Sequence, residues 1–115
     1  MQLNHLNLTV NDVSEAKSFL ETYFGLRSME GGNSNMSGLF DDNGLTLVLM
    51  RGRAAQVSYP EGFHIGFTQT SEAQVDAINQ RLKNDGFDVP PARRLHGSWA
   101  FYFQAPGGFM IEVSG

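Results

Sequence analysis

The sequence predicts an α+β protein built from two βαβββ modules, and three observations support this prediction. The segments LNHLNLTV and FHIGFTQ alternate polar and apolar residues, as half-buried strands do. A capping signal and an apolar period typical of an amphipathic helix follow each of them. Each half then contains a strand-like segment around a glycine turn, FDDNGLTLVLM in one and FQAPGGFMIEV in the other. One motif is therefore predicted to occur twice.

The start and end of each helix are indicated by the residue types found there. A capping side chain, Asp12 or Ser71, stands three residues before a Glu or Gln, and a glycine, Gly25 or Gly86, follows the last apolar residue. Modules 1–52 and 61–115, joined by linker 53–60, are expected to form the single domain 1–115. The predicted helices are 12–24 and 71–85, and the predicted strands are 2–10, 27–30, 36–42, 45–51, 62–69, 88–94, 99–104 and 108–114.

Composition excludes several classes of function. The 115 residues include 8 Lys+Arg and 12 Asp+Glu, a net charge of −4, so the chain lacks the positive surface that nucleic acid requires. No apolar stretch approaches the ~18–20 residues needed to cross a membrane. The first residues lack the pattern of a signal peptide, so a cytoplasmic location is expected. Because the chain has no cysteine, histidines and carboxylates are the strong metal ligands available.

Each module has a sheet face that it cannot bury alone, so the modules are expected to pack against each other or against a second chain. The strands with polar faces would then line a shared cup. Trp99, Phe101 and Phe103 alternate with Ala100 and Tyr102, a pattern typical of a strand with one core face. These three aromatic residues are predicted to serve packing.

Three residues that can bind a metal ion occupy related places in the predicted strands. His5 lies in the first strand, His64 lies 59 residues later in its repeat, and Glu112 lies in the last strand. By alternation all three point away from the helices. Two imidazoles and one carboxylate suit a divalent Fe, Mn, Ni, Co or Zn ion with positions left open for substrate. A buried carboxylate is also costly unless it is paired or coordinating.

The segments LNHLNLTVND, YFGL, FHIGF and PGGFMIEV resemble the vicinal oxygen chelate superfamily. This superfamily includes glyoxalase I, extradiol dioxygenases, fosfomycin-modifying thiol transferases and bleomycin-binding proteins. The resemblance covers nearly the whole chain. It implies an open, eight-stranded mixed β-barrel cup that holds a metal ion, usually in a homodimer. The metal positions of the family carry over to His5, His64 and Glu112.

Val48 stands where glyoxalase I has a fourth metal-binding carboxylate. Valine can neither coordinate a metal nor move a proton, so this resemblance disfavours glyoxalase I activity. The three-ligand set instead resembles that of the extradiol dioxygenases and the fosfomycin enzymes. Tyr102 matches the substrate-contacting tyrosine of the latter, whereas Asn7 stands where they keep a threonine. Arg93 and Arg94 are expected to meet an anionic group.

The expected function is therefore metal-dependent lyase, dioxygenase or thiol-transferase chemistry on a small substrate that binds through two neighbouring oxygens. Tyr102 and Glu112 are the catalytic candidates. By alternation Thr46, Val48 and Met50 share the face of the ligands and are expected to form an apolar wall beside the substrate. The alternative is a metal-free protein that sequesters a drug or metabolite, as the bleomycin-binding relatives do.

Overall fold

The computed structural model describes residues 1–54 and 56–115; Ala55, inside the predicted linker 53–60, lies outside the described residues. These residues form an α+β fold, as the sequence predicts. The helices are α1 (Val13–Phe24) and α2 (Glu72–Asn84), and the strands are β1 (His5–Val10), β2 (Arg27–Ser28), β3 (Met36–Phe40), β4 (Thr46–Arg51), β5 (His64–Thr68), β6 (Arg93–Leu95), β7 (Ser98–Gln104) and β8 (Met110–Ser114).

The strands form two four-stranded mixed sheets with the same topology. The order is β1-β4-β3-β2 in the first and β5-β8-β7-β6 in the second. In each sheet the first strand of the motif pairs in parallel with the last, and the remaining pairs are antiparallel. The prediction of one motif repeated twice is therefore confirmed at the level of strand order and direction.

The chain divides into two compact units. Unit 1 comprises Met1–Tyr59 with Pro106–Gly108, and unit 2 comprises Pro60–Ala105 with Phe109–Gly115. In unit 1 helix α1 packs on β2, β3 and β4, and in unit 2 helix α2 packs on β7 and β8. Each unit thus buries one face of its own sheet. The fully buried large side chains are Leu8, Val10, Val13, Leu20, Leu39 and Leu49 in unit 1 and Val75, Leu82, Phe101, Phe109, Ile111 and Val113 in unit 2.

The predicted helix caps are confirmed. Asp12 Oδ1 accepts the N–H of Glu15 at 3.0 Å, and Ser71 Oγ accepts the N–H of Gln74 at 3.2 Å. Gly25 ends α1 with φ +67°, a left-handed conformation that favours glycine. Neither helix among the described residues has the length and apolar character needed to cross a membrane.

The sixth strand lies later in the chain than predicted. The sequence predicts a strand over 88–94, whereas β6 covers Arg93–Leu95. Pro90 and Pro91 explain the difference, because proline has no N–H to donate to a sheet. The other strands begin and end within three residues of their predicted bounds.

The single eight-stranded sheet of the predicted barrel is not formed within the chain. Among residues 1–54 and 56–115, strand pairing stays within each four-stranded sheet. Alternation along a strand specifies which face is buried but carries no information about which strand lies against a free edge. The prediction of eight strands in two mixed sheets is therefore confirmed, and the two sheets are not closed into a barrel.

Tyr59 anchors the segment that follows β4 and provides a testable pH dependence. Its hydroxyl donates to the carbonyl of Thr9 on β1, and the nearby Val57 N–H donates to Asn11 Oδ1 at 2.8 Å. Burial raises the pKa of Tyr59 above its ordinary value of 10.0. A raised folded-state pKa means that this contribution to stability is complete below pH ~10 and is lost as pH rises through the folded pKa.

We expect the Tyr59→Phe variant to lose less of its free energy of unfolding than the wild type when pH rises from 9 to 11. Urea unfolding followed by circular dichroism at both pH values measures this difference. Tyr23→Phe, which removes a hydroxyl from α1, controls for general effects of tyrosine ionisation. An equal loss of stability in wild type and Tyr59→Phe would contradict the assignment.

Candidate functional site

Three predicted site residues lie on adjacent strands of unit 2. His64 is the first residue of β5, Glu112 lies in the middle of β8, and Tyr102 lies in β7. Glu112 is the register partner of Tyr102 on one side and of Gly66 on the other. Its neighbours Ile111 and Val113 are fully buried towards α2, so Glu112 points to the opposite face of the sheet.

His64 and Glu112 face each other directly. His64 Nε2 lies 3.3 Å from Glu112 Oε2, with the side chains 39% and 24% exposed. The other ring nitrogen, Nδ1, lies 2.9 Å from the carbonyl oxygen of Gly62. Because a carbonyl oxygen only accepts, Nδ1 must carry a proton, and in the neutral ring Nε2 then presents its lone pair to the carboxylate. At 3.3 Å, either a proton on Nε2 or a bound cation would join the two atoms.

Tyr102 completes this cluster. Its ring meets that of His64 edge to face, with centroids 5.1 Å apart and an interplanar angle of 85°. A hydrogen bond with Glu112 raises the pKa of the Tyr102 hydroxyl, and burial and the negative charge of Glu112 raise it further. The phenol is therefore a protonated donor at neutral pH and holds the carboxylate of Glu112 in place.

Arg93 lies on β6 of unit 2, and the remaining predicted site residues lie in unit 1. His5 and Asn7 on β1 are the register partners of Thr46 and Val48 on β4. Leu47 and Leu49 are buried under α1, which leaves Thr46, Val48 and Met50 on the same open face as His5. His5 Nδ1 lies 2.8 Å from Asn4 Oδ1. In His5, as in His64, Nε2 is therefore the ring nitrogen that could bind a ligand.

The strand register makes the two halves directly comparable. Asn7 pairs with Val48 in unit 1 as Gly66 pairs with Glu112 in unit 2, and Gly38 pairs with Val48 as Tyr102 pairs with Glu112. Unit 1 thus has valine and glycine where unit 2 has the carboxylate and the phenol. Met29 Sδ lies 2.8 Å from the point where a Cβ on Gly38 would stand, so methionine fills the missing volume.

The structure brings two of the three predicted ligands together. No group of three or more His, Asp or Glu side chains able to hold a metal ion occurs in the part of the chain that the structure describes. His64 and Glu112 are paired in unit 2, and His5 belongs to unit 1. His96, which the sequence gives no repeat partner, lies at the tip of the β6–β7 turn with φ +50° and is exposed.

Two contacts that matter for this region were not predicted. The carbonyl of Gly62, which orients His64, has no signal in the side-chain pattern. Asn79 lies on the buried face of α2, 6% exposed, and donates Nδ2–H to the carbonyl of Pro90 at 2.7 Å. An amide four residues after the buried Val75 and three before the buried Leu82 must find a partner, and this spacing was the available signal.

Comparison with known proteins gives a consistent result. The sequence profile of the Glyoxalase/Bleomycin resistance protein/Dioxygenase superfamily matches residues 2–113. The structure of a possible glyoxalase from Bacillus cereus is 50% identical, with TM-score 0.92 and coverage of 100% of this chain and 99% of that chain. The fosfomycin resistance protein FosX from Listeria monocytogenes is 26% identical, with TM-score 0.79 and coverage of 99% and 92%.

A third structure is that of a FosX variant from Listeria monocytogenes in complex with Mn(II) and 1S,2S-dihydroxypropylphosphonic acid. It is 23% identical, with TM-score 0.77 and coverage of 99% of this chain and 88% of that chain, a likeness that shows the fold. Comparison with curated proteins gave no match. The match over residues 2–113, the repeated βαβββ motif and the 50% identity agree, and the chain belongs to the Glyoxalase/Bleomycin resistance protein/Dioxygenase superfamily.

Proposed function

We propose that the protein is a metal-dependent enzyme in which His5, His64 and Glu112 hold a divalent Fe, Mn, Ni, Co or Zn ion. Its substrate is a small molecule that binds through two neighbouring oxygen atoms. When bound, such an ion supplies Lewis-acid stabilisation of an oxyanion that develops on the substrate. The observation that supports this proposal most directly is the 3.3 Å approach of His64 Nε2 to Glu112 Oε2 on neighbouring strands.

The spacing of these two atoms fits a divalent ion. Zinc binds histidine nitrogen and carboxylate oxygen at ~2.0–2.2 Å, and tetrahedral geometry separates two such ligand atoms by roughly 3.4 Å. The distance from Nε2 to Oε2 is 3.3 Å. A hydrogen bond from Nδ1 to a carbonyl also fixes the tautomer of many metal-binding histidines. In His64 that partner is the Gly62 carbonyl, and in His5 it is Asn4 Oδ1.

Within this proposal Tyr102 orients the substrate or moves a proton near the reacting atoms. Its hydroxyl is within hydrogen-bond reach of Glu112 and stays protonated at neutral pH. Unit 1 has Val48 and Gly38 where unit 2 has the carboxylate and the phenol, which disfavours glyoxalase I chemistry and favours the lyase, dioxygenase or thiol-transferase types. Thr46, Val48 and Met50 provide the apolar wall, and Asn7 provides an amide.

We also propose that modules 1–52 and 61–115 function as one domain whose two sheets form an open cup, in a homodimer. In the order of the sheets β1 and β5 are both terminal strands, each with one neighbouring strand. A free strand edge favours pairing with a further strand. His5, at the start of β1, would then reach the pair on β5 and β8 either within one chain or from the second copy.

Metal content and a divalent-ion titration test the proposed function. Protein purified without added metal is analysed for bound elements, and metal-free protein is titrated calorimetrically with Mn, Fe, Co, Ni and Zn. We expect about one ion bound per chain. Absence of binding for all five ions would overturn the proposal and favour the metal-free protein that sequesters a small molecule.

Mixing two variants identifies which chain supplies His5. His5→Ala and Glu112→Ala chains are combined, unfolded and refolded together, and the metal content is measured. If each site draws its ligands from two chains, mixed dimers contain one intact site per pair. If each site draws them from one chain, no intact site forms.

A further inference from the structure

A cavity of about 310 Å³ lies within unit 2, next to Tyr102. The segment Pro90–Pro91 forms one side, and Leu95, Ala100 and Phe101 contribute apolar surface. Arg93 and Tyr102 are its polar residues. Its volume is at the small end of the range for small-molecule sites, and an apolar lining with a few fixed polar groups is their usual composition. Tyr102, which lines the cavity, also bonds Glu112 of the His64–Glu112 pair.

The proline side of the cavity is fixed by a buried contact. Asn79 on α2 is 6% exposed and donates to the carbonyl of Pro90 at 2.7 Å. Val89, the residue before Pro90, is 7% exposed. Two successive prolines also restrict the backbone, since each ring fixes φ. This side of the cavity is therefore formed before any ligand binds, which lowers the entropic cost of binding.

The two neighbouring arginines of β6 have different environments. Arg94 donates to Glu72 on α2 at 3.1 Å, and its guanidinium lies 5.3 Å from the centroid of Trp99. Arg93 points to the other face of the strand, opposite Ala100. No hydrogen bond or ion pair to the Arg93 guanidinium is found among residues 1–54 and 56–115. A guanidinium is always charged, and this one lines an apolar cavity, so an anionic ligand is its natural partner.

We propose that this cavity binds a small organic carboxylate with a short apolar body, the carboxylate on Arg93 and the body against Leu95, Ala100 and the Pro90–Pro91 segment. One guanidinium matches one carboxylate through two parallel hydrogen bonds. A doubly charged phosphate would leave a second charge without a partner beside apolar walls. The inference that this carboxylate belongs to the substrate rests on the proposed function. The inference that the cavity binds a carboxylate is independent of the proposed function.

Binding of three probes to metal-free protein tests the cavity. Benzoate, its neutral amide benzamide and inorganic phosphate are titrated, and backbone amide chemical shifts are followed by NMR. We expect benzoate to shift the amides of Leu95 and Ala100 and to bind at least about tenfold more tightly than benzamide, because a hydrogen bond to a charged group is the stronger kind. Phosphate should bind more weakly than benzoate.

Two neighbouring variants make the test specific. Arg93→Gln should weaken benzoate binding about tenfold or more, whereas Arg94→Gln, which alters the arginine on the other face, should leave it unchanged. Both side chains are exposed, so both variants should fold, as circular dichroism checks. Equal benzoate affinity in wild type and Arg93→Gln would overturn the proposal, as would tighter binding of phosphate than of benzoate.

Measuring metal uptake and benzoate binding on the wild-type protein separates this proposal from the proposed function. We expect the wild type to bind both, with benzoate binding through Arg93 in the metal-free protein. Benzoate binding by wild-type protein that takes up no metal would overturn the metal enzyme and leave the carboxylate cavity. Metal binding without benzoate binding would overturn the cavity and leave the metal enzyme.

Discussion

Replacing His64 or Glu112 by alanine is expected to lower the affinity for a divalent ion ~100-fold or more, because groups that only orient a metal ligand already contribute ~10–100-fold. His5→Ala should have the same effect under the proposed three-ligand set. The His64 and Glu112 side chains are 39% and 24% exposed, and neither belongs to the buried core. The variants should therefore keep the fold of the wild type. Calorimetric titration measures the affinity, and thermal unfolding followed by circular dichroism checks the fold.

Matched controls exist for both residue types. His96→Asn removes an exposed imidazole at the tip of the β6–β7 turn, where asparagine tolerates the positive φ. Glu72→Gln removes an exposed carboxylate that pairs with Arg94. Neither substitution should change metal affinity. Metal binding that survives in His64→Ala, Glu112→Ala and His5→Ala alike would show that the ligands lie elsewhere.

Much of the local structure could be predicted because the sequence clearly shows both the alternation of strands and the apolar period of helices. Alternation along residues 3–10 and 63–69 indicates strands, and Asp12 and Ser71 mark helix starts that the structure confirms. Alternation also indicated that Glu112 points away from α2. The sequence could not predict that strand pairing stays within each four-stranded sheet, since backbone groups at a strand edge are the same for every residue type.

The full chemical difference between the two units could be identified only from the strand register. The repeat in the sequence aligns Val48 with Glu112, and the observed pairs confirm this alignment. That Gly38 takes the position of Tyr102 became evident only from the pairing of β3 with β4. Unit 1 therefore offers one imidazole and an apolar surface, whereas unit 2 offers an imidazole, a carboxylate, a phenol and a guanidinium. Under the proposed function, unit 2 carries most of the acid–base chemistry.

Replacing Phe101 by alanine is expected to lower the free energy of unfolding by about 3–5 kcal/mol, the usual effect of truncating a buried phenylalanine. Phe101 is 1% exposed, pairs with Val113 on β8, and stacks on Phe103 with ring centroids 5.8 Å apart. A loss of this size is a large part of the roughly 5–15 kcal/mol that stabilises a domain. Urea unfolding followed by circular dichroism measures it.

Tyr102→Phe is the matched substitution on the opposite face of the same strand. It keeps the ring and removes the hydroxyl that bonds Glu112, so the expected loss of stability is about 1 kcal/mol. A loss for Phe101→Ala no larger than that for Tyr102→Phe would contradict the assignment of Phe101 to the core. Because side chains alternate between the faces of β7, one face stabilises the fold and the other carries the site. Phe101→Ala protein that remains folded should therefore bind a divalent ion with the wild-type affinity, which would show that the two faces can be altered independently.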